Sequence, residues 1–214
     1  MESSVATAPP HVVCRGERFR LYLDEETIRR RVAEIGRRIA ADYAGVDSAP
    51  ILIGILNGAY MFTADLMRAL PIDCEVDFYK LSSYGEQKMS SGTVSERKAI
   101  DADLGGRHVI VVEDIVDTGL SMRYILDRVA EHAPASVRTA TLLHKPAATK
   151  VEVPLDYVGF EIDNLFVIGY GLDYGQLARN LPAIYILDED APAPALDDGA
   201  TPAGQGGAGG GPAA

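Results

Sequence analysis

Between Val109 and Ser121 the chain reads V-I-V-V-E-D-I-V-D-T-G-L-S, and three of these residues are acids. The β-branched run Val109 to Val112 predicts a short strand buried on both faces, as in a parallel sheet covered by helices. Glu113 and Asp114 follow where the apolar run stops. Asp117-Thr118-Gly119 comes three residues later, ahead of Leu120 and Ser121. From Ser121 the spacing of Tyr124, Ile125 and Val129 predicts an amphipathic helix. A small polar loop with a glycine, set between strand and helix, is an anion site because unpaired N–H groups point out of it. Three acids would repel a bare phosphate. The conflict resolves if the ligand also brings sugar hydroxyls that donate to the acids, a bound cation, or positive charge in the transition state. A phosphorylated sugar with a divalent metal supplies all three. Other phosphate loops fit worse: G-x-x-x-x-G-K-[ST] is absent, and Gly169-Tyr170-Gly171 lacks the third glycine of a dinucleotide fingerprint.

The elements that must position these residues are legible around them. Asp24 is a suitable N-cap, with Glu25 and Glu26 in the first turn. Ile28, Val32, Ile35, Ile39 and Tyr43 then predict a helix over 25–44, stopped by Gly45. Its arginines Arg29, Arg30, Arg31, Arg37 and Arg38 are expected on a solvated face. Ile51 to Leu56 predicts a buried strand, Asn57-Gly58 a turn, and Tyr60 to Ala69 a helix. The alternation of Ile72, Cys74, Val76 and Phe78 predicts a half-buried strand within 72–81. The polar run from Ser82 to Ser95 is long for a connection inside a compact domain, as lids often are. Further strands are expected at Val137 to Leu143, Phe166 to Ile168 and Ala183 to Leu187. Strands alternating with helices predict an α/β fold with a parallel sheet, whose ligands bind at the C-terminal strand ends.

At 214 residues the chain suits one domain with attachments. Residues 1–12 are expected to be a flexible N-terminus, 13–190 the ordered domain and 191–214 a disordered tail. That tail is almost wholly Ala, Gly and Pro, with Leu196 its only other apolar side chain. No secretory signal and no membrane-spanning apolar stretch is visible. Cys14 and Cys74 fit two ordinary thiols in a reduced, cytoplasmic compartment. The net charge of −11 argues against nucleic-acid binding, which needs clustered Lys and Arg. A small anionic substrate is still compatible with it.

The acidic D-T-G segment resembles the phosphoribosyl pyrophosphate signature of type I phosphoribosyltransferases. Segments from about Leu21 to Leu187 resemble the hypoxanthine-guanine branch of that family. The branch has a pyrophosphate-binding L-K-G loop with a cis peptide, here Leu56-Asn57-Gly58. Its lid carries Ser-Tyr, here Ser83-Tyr84. Its base-contacting lysine corresponds to Lys145 after Leu142-Leu143-His144. A stacking aromatic and a backbone contact to the base correspond to Phe166 and Val167. Within the branch-specific segment Val158 to Tyr174, Asp173 matches a magnesium-site acid, and Arg179 just beyond matches an arginine near pyrophosphate. Two departures stand out: Asn57 replaces the loop lysine, and Asp163-Asn164-Leu165 replaces a common P-D-K.

The resemblance implies a type I phosphoribosyltransferase fold, a mostly parallel sheet flanked by helices with a small hood from terminal segments. It implies purine salvage: Mg²⁺-dependent transfer of the 5-phosphoribosyl group from phosphoribosyl pyrophosphate to hypoxanthine or guanine, giving IMP or GMP and pyrophosphate. Glu113 and Asp114 would serve the ribose hydroxyls and, with Asp173, magnesium. Thr118, Gly119, Leu120 and Ser121 would hold the 5′-phosphate, Asp117 would be the general acid/base, and the Ser83-Tyr84 lid would exclude water. The implied partners are phosphoribosyl pyrophosphate and a 6-oxopurine, in a homodimer or homotetramer, with no nucleic acid and no membrane. Two other readings stay open, a xanthine-preferring phosphoribosyltransferase and a non-catalytic regulator that senses phosphoribosyl pyrophosphate.

Overall fold

The computed structural model describes residues 8–81 and 96–189. Ser83, Tyr84 and the tail 191–214 lie outside the described residues, as do residues 1–7. The main sheet has six strands in the order β5-β4-β3-β6-β7-β8. They are β3 (Ile51–Ile55), β4 (Glu75–Leu81), β5 (Glu96–Lys98), β6 (His108–Val116), β7 (Ser136–His144) and β8 (Tyr157–Glu161). All neighbours pair in parallel except the edge strand β5, which runs antiparallel to β4.

Among the described residues three helices cover this sheet: α1 (Glu25–Asp42), α2 (Tyr60–Ala69) and α3 (Leu120–Ala130). Side chains alternate across each strand, which explains why the central strands are apolar without interruption. Leu52, Ile110 and Val112 pack with Ile28, Val32, Phe62 and Leu66 of α1 and α2. Ile51, Ile53, Val109 and Val111 pack on the other face with Met122, Ile125 and Val129 of α3. The Asp24 carboxylate caps α1 by accepting from the Thr27 N–H at 2.7 Å.

A second, antiparallel sheet of order β1-β2-β10-β9 forms the hood, from β1 (His11–Cys14), β2 (Glu17–Leu23), β9 (Val167–Ile168) and β10 (Ile184–Leu187). Its own small core is Cys14, Phe19, Ile168, Ala183 and Tyr185. Both ends of the domain thus meet in one sheet. His11 and Val12, expected to be loose, belong to β1, because they pair with Arg20 and Phe19.

Three further expectations need correction. β6 carries its acids near the C-terminal end, as expected, but extends past them to Val116, since β7 stays paired with it through His144. The strand expected over 72–81 starts at Glu75. The arginine face of α1 is not wholly solvated: Arg31 donates to the carbonyls of Gly159 (2.7 Å) and Val158 (3.0 Å), and Arg38 to that of Asp156 (3.2 Å). β8 is an edge strand, and Arg31 covers two of its carbonyls while Arg38 covers that of the residue before it. Among the described residues no helix is long and apolar enough to cross a membrane.

Candidate active site

The acidic segment expected to meet a phosphate is one continuous strand-loop-helix. β6 ends at Val116, Asp117 to Gly119 turn, and α3 begins at Leu120 with Gly119 as its N-cap at φ +81°. Glu113, Asp117, Thr118, Gly119 and Ser121 line a cavity of about 250 Å³ there. The first N–H groups of α3 have no intrahelical acceptor and suit an anion in that space. The Thr118 carbonyl accepts from Lys150 and Val151 N–H, each at 3.0 Å, so the segment after β7 clamps the loop from behind.

Of the two β6 acids, Asp114 is buried and Glu113 partly so. Glu113 and Asp114 are successive residues of β6. Burial first, and the Asp114 charge second, push Glu113 well above the usual carboxylate range. Burial also raises Asp114, against hydrogen bonding from Glu113 and the Ile115 N–H and the nearby charge of Arg179. Oε2 of Glu113 is buried without a hydrogen-bond partner. An unpartnered carboxylate oxygen of this kind is suited to accept from sugar hydroxyls or to meet a cation.

The turn after β3 presses directly on these acids. A side-chain carbon added at Gly58 would come within 1.7 Å of Asp114 Oδ2, so only glycine lets the turn approach. Gly58 is also overlain by Gly171, where an added carbon would lie 2.1 Å from the Gly58 carbonyl oxygen. The Leu56–Asn57 peptide is cis. Leu56, Asn57 and Gly58 therefore sit against the acid pair on one side and the Gly169–Asp173 segment on the other.

On the base side, Lys145 Nζ lies 3.2 Å from Asp117 Oδ2, with the lysine side chain only 9% exposed and the carboxylate 44%. The Lys145 N–H donates to the Val116 carbonyl at 3.0 Å, which fixes the end of β7 to the end of β6. Thr149 Oγ1 donates to the Lys145 carbonyl (3.2 Å) and reaches that of Asp117 (3.5 Å). Phe166 is set by the hood: its ring meets Tyr174 edge-on at 5.3 Å and Phe19 at 6.1 Å, and it is 47% exposed. Val167, next to it, is buried and pairs with Ile186. Asp173 accepts from Arg179 Nη2 at 2.6 Å and from the Gln176 N–H at 2.7 Å, while Arg179 Nη1 donates to the Gly171 carbonyl at 2.7 Å.

Sequence reading missed several neighbours of these groups. Thr149, Lys150 and Val151 brace the phosphate loop, and nothing in their types announces it. Lys80 donates to Asn57 Oδ1 at 2.9 Å. Its position one residue past the buried Tyr79, at the end of a strand beside the Asn57 turn, was the available signal.

The phosphoribosyl transferase domain model matches residues 22–175. The chain is 41% identical over 175 residues to a hypoxanthine-guanine phosphoribosyltransferase of Aquifex aeolicus, covering 82% of this chain and 98% of that one. A Mycobacterium avium protein of the same name is 41% identical over 192 residues, covering 88% and 95%. Among solved structures, the hypoxanthine phosphoribosyltransferase of Trypanosoma cruzi in a ternary complex with substrates superposes with a TM-score of 0.76 at 40% identity, covering 82% of this chain and 98% of that one. A hypoxanthine-guanine phosphoribosyltransferase of Bacillus anthracis with HEPES in its active site gives 0.74 at 38%, covering 78% and 97%. With the motif, the two sheets and these relatives in agreement, the chain belongs to the phosphoribosyltransferase family, in its hypoxanthine-guanine branch.

Proposed function

We propose that this protein transfers the 5-phosphoribosyl group of phosphoribosyl pyrophosphate to hypoxanthine or guanine, as a purine-salvage enzyme. The bond from ribose C1 to the pyrophosphate oxygen breaks and its electron pair leaves with pyrophosphate. A bond from C1 to a purine ring nitrogen forms, and that base gives up a proton. Positive charge builds on the ribose in between. Glu113 and Asp114 accept from the ribose hydroxyls and offset that charge. Asp117, Thr118, Gly119, Leu120 and Ser121 hold the 5′-phosphate, chiefly through backbone N–H groups. Asp117 is the general acid/base facing the purine, and Lys145 beside it donates to the 6-oxo group. Phe166 stacks on the base and the Val167 backbone meets its edge, while Leu56, Asn57, Gly58 and Arg179 receive the pyrophosphate.

Magnesium fits the donor set. Glu113 keeps a buried carboxylate oxygen without a partner. Among the described residues no three acids, histidines or cysteines close into a cage. Mg²⁺ prefers one or two carboxylates with substrate phosphates to an all-protein site. Asp173, with Glu113 and Asp114 acting at the ribose hydroxyls, would hold it. When bound it supplies charge neutralisation for the departing pyrophosphate. We place the enzyme in the cytoplasm, consistent with its free Cys14 and Cys74. The assembly is a homodimer or homotetramer, and Tyr60 and Met67, exposed on α2, are apolar side chains that such a contact would cover.

What supports this reading best is the contact of Lys145 with Asp117 beside the cavity, a lysine donor and a carboxylate at one point. Purified protein given phosphoribosyl pyrophosphate and Mg²⁺ should convert hypoxanthine or guanine to the 5′-monophosphate, more readily than adenine, and EDTA should abolish turnover. No product from either 6-oxopurine would overturn the reading. Sustained turnover in excess chelator would overturn the metal's part in it.

A further inference from the structure

Lys80 stands at the end of β4, beside the turn that ends β3, and its Nζ donates to Asn57 Oδ1 at 2.9 Å. The sheet fixes the two residues to each other. β3 and β4 are parallel neighbours with Ile55 opposite Tyr79, and the Leu56 N–H donates to the Tyr79 carbonyl at 2.9 Å. On its other side the turn abuts Asp114 and Gly171. The Asn57 side chain is therefore held by an ammonium within a turn that borders the buried acid pair.

The positive charges of the site are unequally committed. Lys145 is paired with Asp117, and Arg179 with Asp173. Among the described residues Lys80 has no ion pair, and its partner is a neutral amide oxygen. An amide bound in this way has its oxygen turned to the lysine, which leaves the two N–H groups of Nδ2 as donors facing elsewhere. A polyanion arriving at the turn then meets an oriented double donor with a cation directly behind it. Neither residue supplies both alone. Asparagine has no charge, and a lysine on β4 stands one strand away from the turn.

We infer that Lys80 is a positioning residue for the leaving group: it orients the Asn57 amide toward pyrophosphate and supplies the positive charge that the turn itself lacks. The inference rests on the function proposed above. It predicts effects on the anionic substrates and none on the base.

The test is steady-state kinetics in both directions on the full chain with Mg²⁺, with melting temperature as a control. Lys80→Met should raise the Michaelis constants for phosphoribosyl pyrophosphate and for pyrophosphate about tenfold, with the constant for the base and the melting temperature unchanged. Asn57→Asp keeps the Lys80 contact but has no donor, and it should raise the same two constants. Lys80→Arg, and Asn57→Lys placed in the Lys80→Met background, should each recover most of the loss. Anion constants within about twofold of the unmutated enzyme in Lys80→Met would overturn the inference. So would a base constant that rises in step, or a failure of Asn57→Lys to recover the loss. Absence of turnover by the unmutated protein would overturn the proposed function and this inference with it, whereas normal turnover with unchanged constants would overturn the inference alone.

Discussion

The two sheets share the proposed site unequally, with Lys145 of the base side carried by the main sheet, and reach their parts by different routes. The phosphate half is contiguous: β6, the Asp117–Gly119 turn and α3 place Glu113 through Ser121 from one short stretch of chain. The base half depends on the hood, where Phe166 and Val167 are set by β9, which pairs with β10, which pairs in turn with β2 near the other end of the chain. A half-site built on one strand-loop-helix inherits its geometry from local sequence. One built on a hood inherits it from pairings more than a hundred residues apart, and it should fail independently of the first.

Substitutions in each region can break that separation. The largest effect is expected at the junction: Asp117→Asn should lower kcat about 10²-fold, as loss of a general acid/base does, with little change in affinity for phosphoribosyl pyrophosphate. A fall in that affinity with kcat intact would make Asp117 a ligand only.

Next comes the frame shared by both halves. Burial alone would raise the Asp77 carboxyl, but the Lys98 ammonium and the N–H groups of Ala102, Phe78 and Asp101 hold it down to about 2. Because this folded value lies below the ordinary one, the stabilisation is present above about pH 4 and is lost as pH falls toward 2. Asp77→Asn should cost about 2 kcal/mol at neutral pH, with the gap to the unmutated protein closing in acid. Denaturant titrations across pH would show it, and a gap that is constant with pH would refute it.

A smaller effect should be confined to the hood. Phe166→Ala should raise the Michaelis constant for the base about tenfold, the scale of a lost base–aromatic stack, and leave the phosphoribosyl pyrophosphate constant alone. Equal rises in both would mean that the halves are mechanically coupled.

The smallest change sharpens the picture of the acid pair. Glu113 titrates above its ordinary range in the folded protein, so its contribution to stability is full below about pH 4.5 and falls as pH rises through the raised value. Without Mg²⁺ or substrate, Glu113→Gln should therefore melt higher than the unmutated protein at pH 8 and equally in acid. A lower melting temperature at pH 8 would contradict the raised titration of Glu113.

The contiguous half was readable from residues alone, because a buried strand, two acids and a small turn before a helix are local signals. The main sheet was readable for the same reason: Ile51 to Ile55 and Val109 to Val112 are apolar runs that only a doubly covered strand explains. The hood was less so. Val167 and Ile184 were expected in strands, but β1 and β2 were not. Their signal was present in the alternation of Phe19, Leu21 and Leu23, and in Arg15-Gly16, whose φ values of +52° and +82° make a tight hairpin turn. Arg-Gly lacks the usual Asn-Gly or Asp-Gly wording, so period two went unread. Contacts such as Arg31 to the β8 carbonyls have no sequence signature, since they depend on which strand ends up at the edge.

The pairing of β2 with β10 also fixes an order of events during synthesis. Leu23 must wait for Ile184, its register partner, before the sheet that carries Phe166 can close. By then β3 to β8 and all three helices have left the ribosome, and the phosphate cavity has every residue it needs. A nascent chain would thus acquire its grip on ribose phosphate well before it can distinguish one base from another, and a message cut short before residue 184 would encode the first ability without the second.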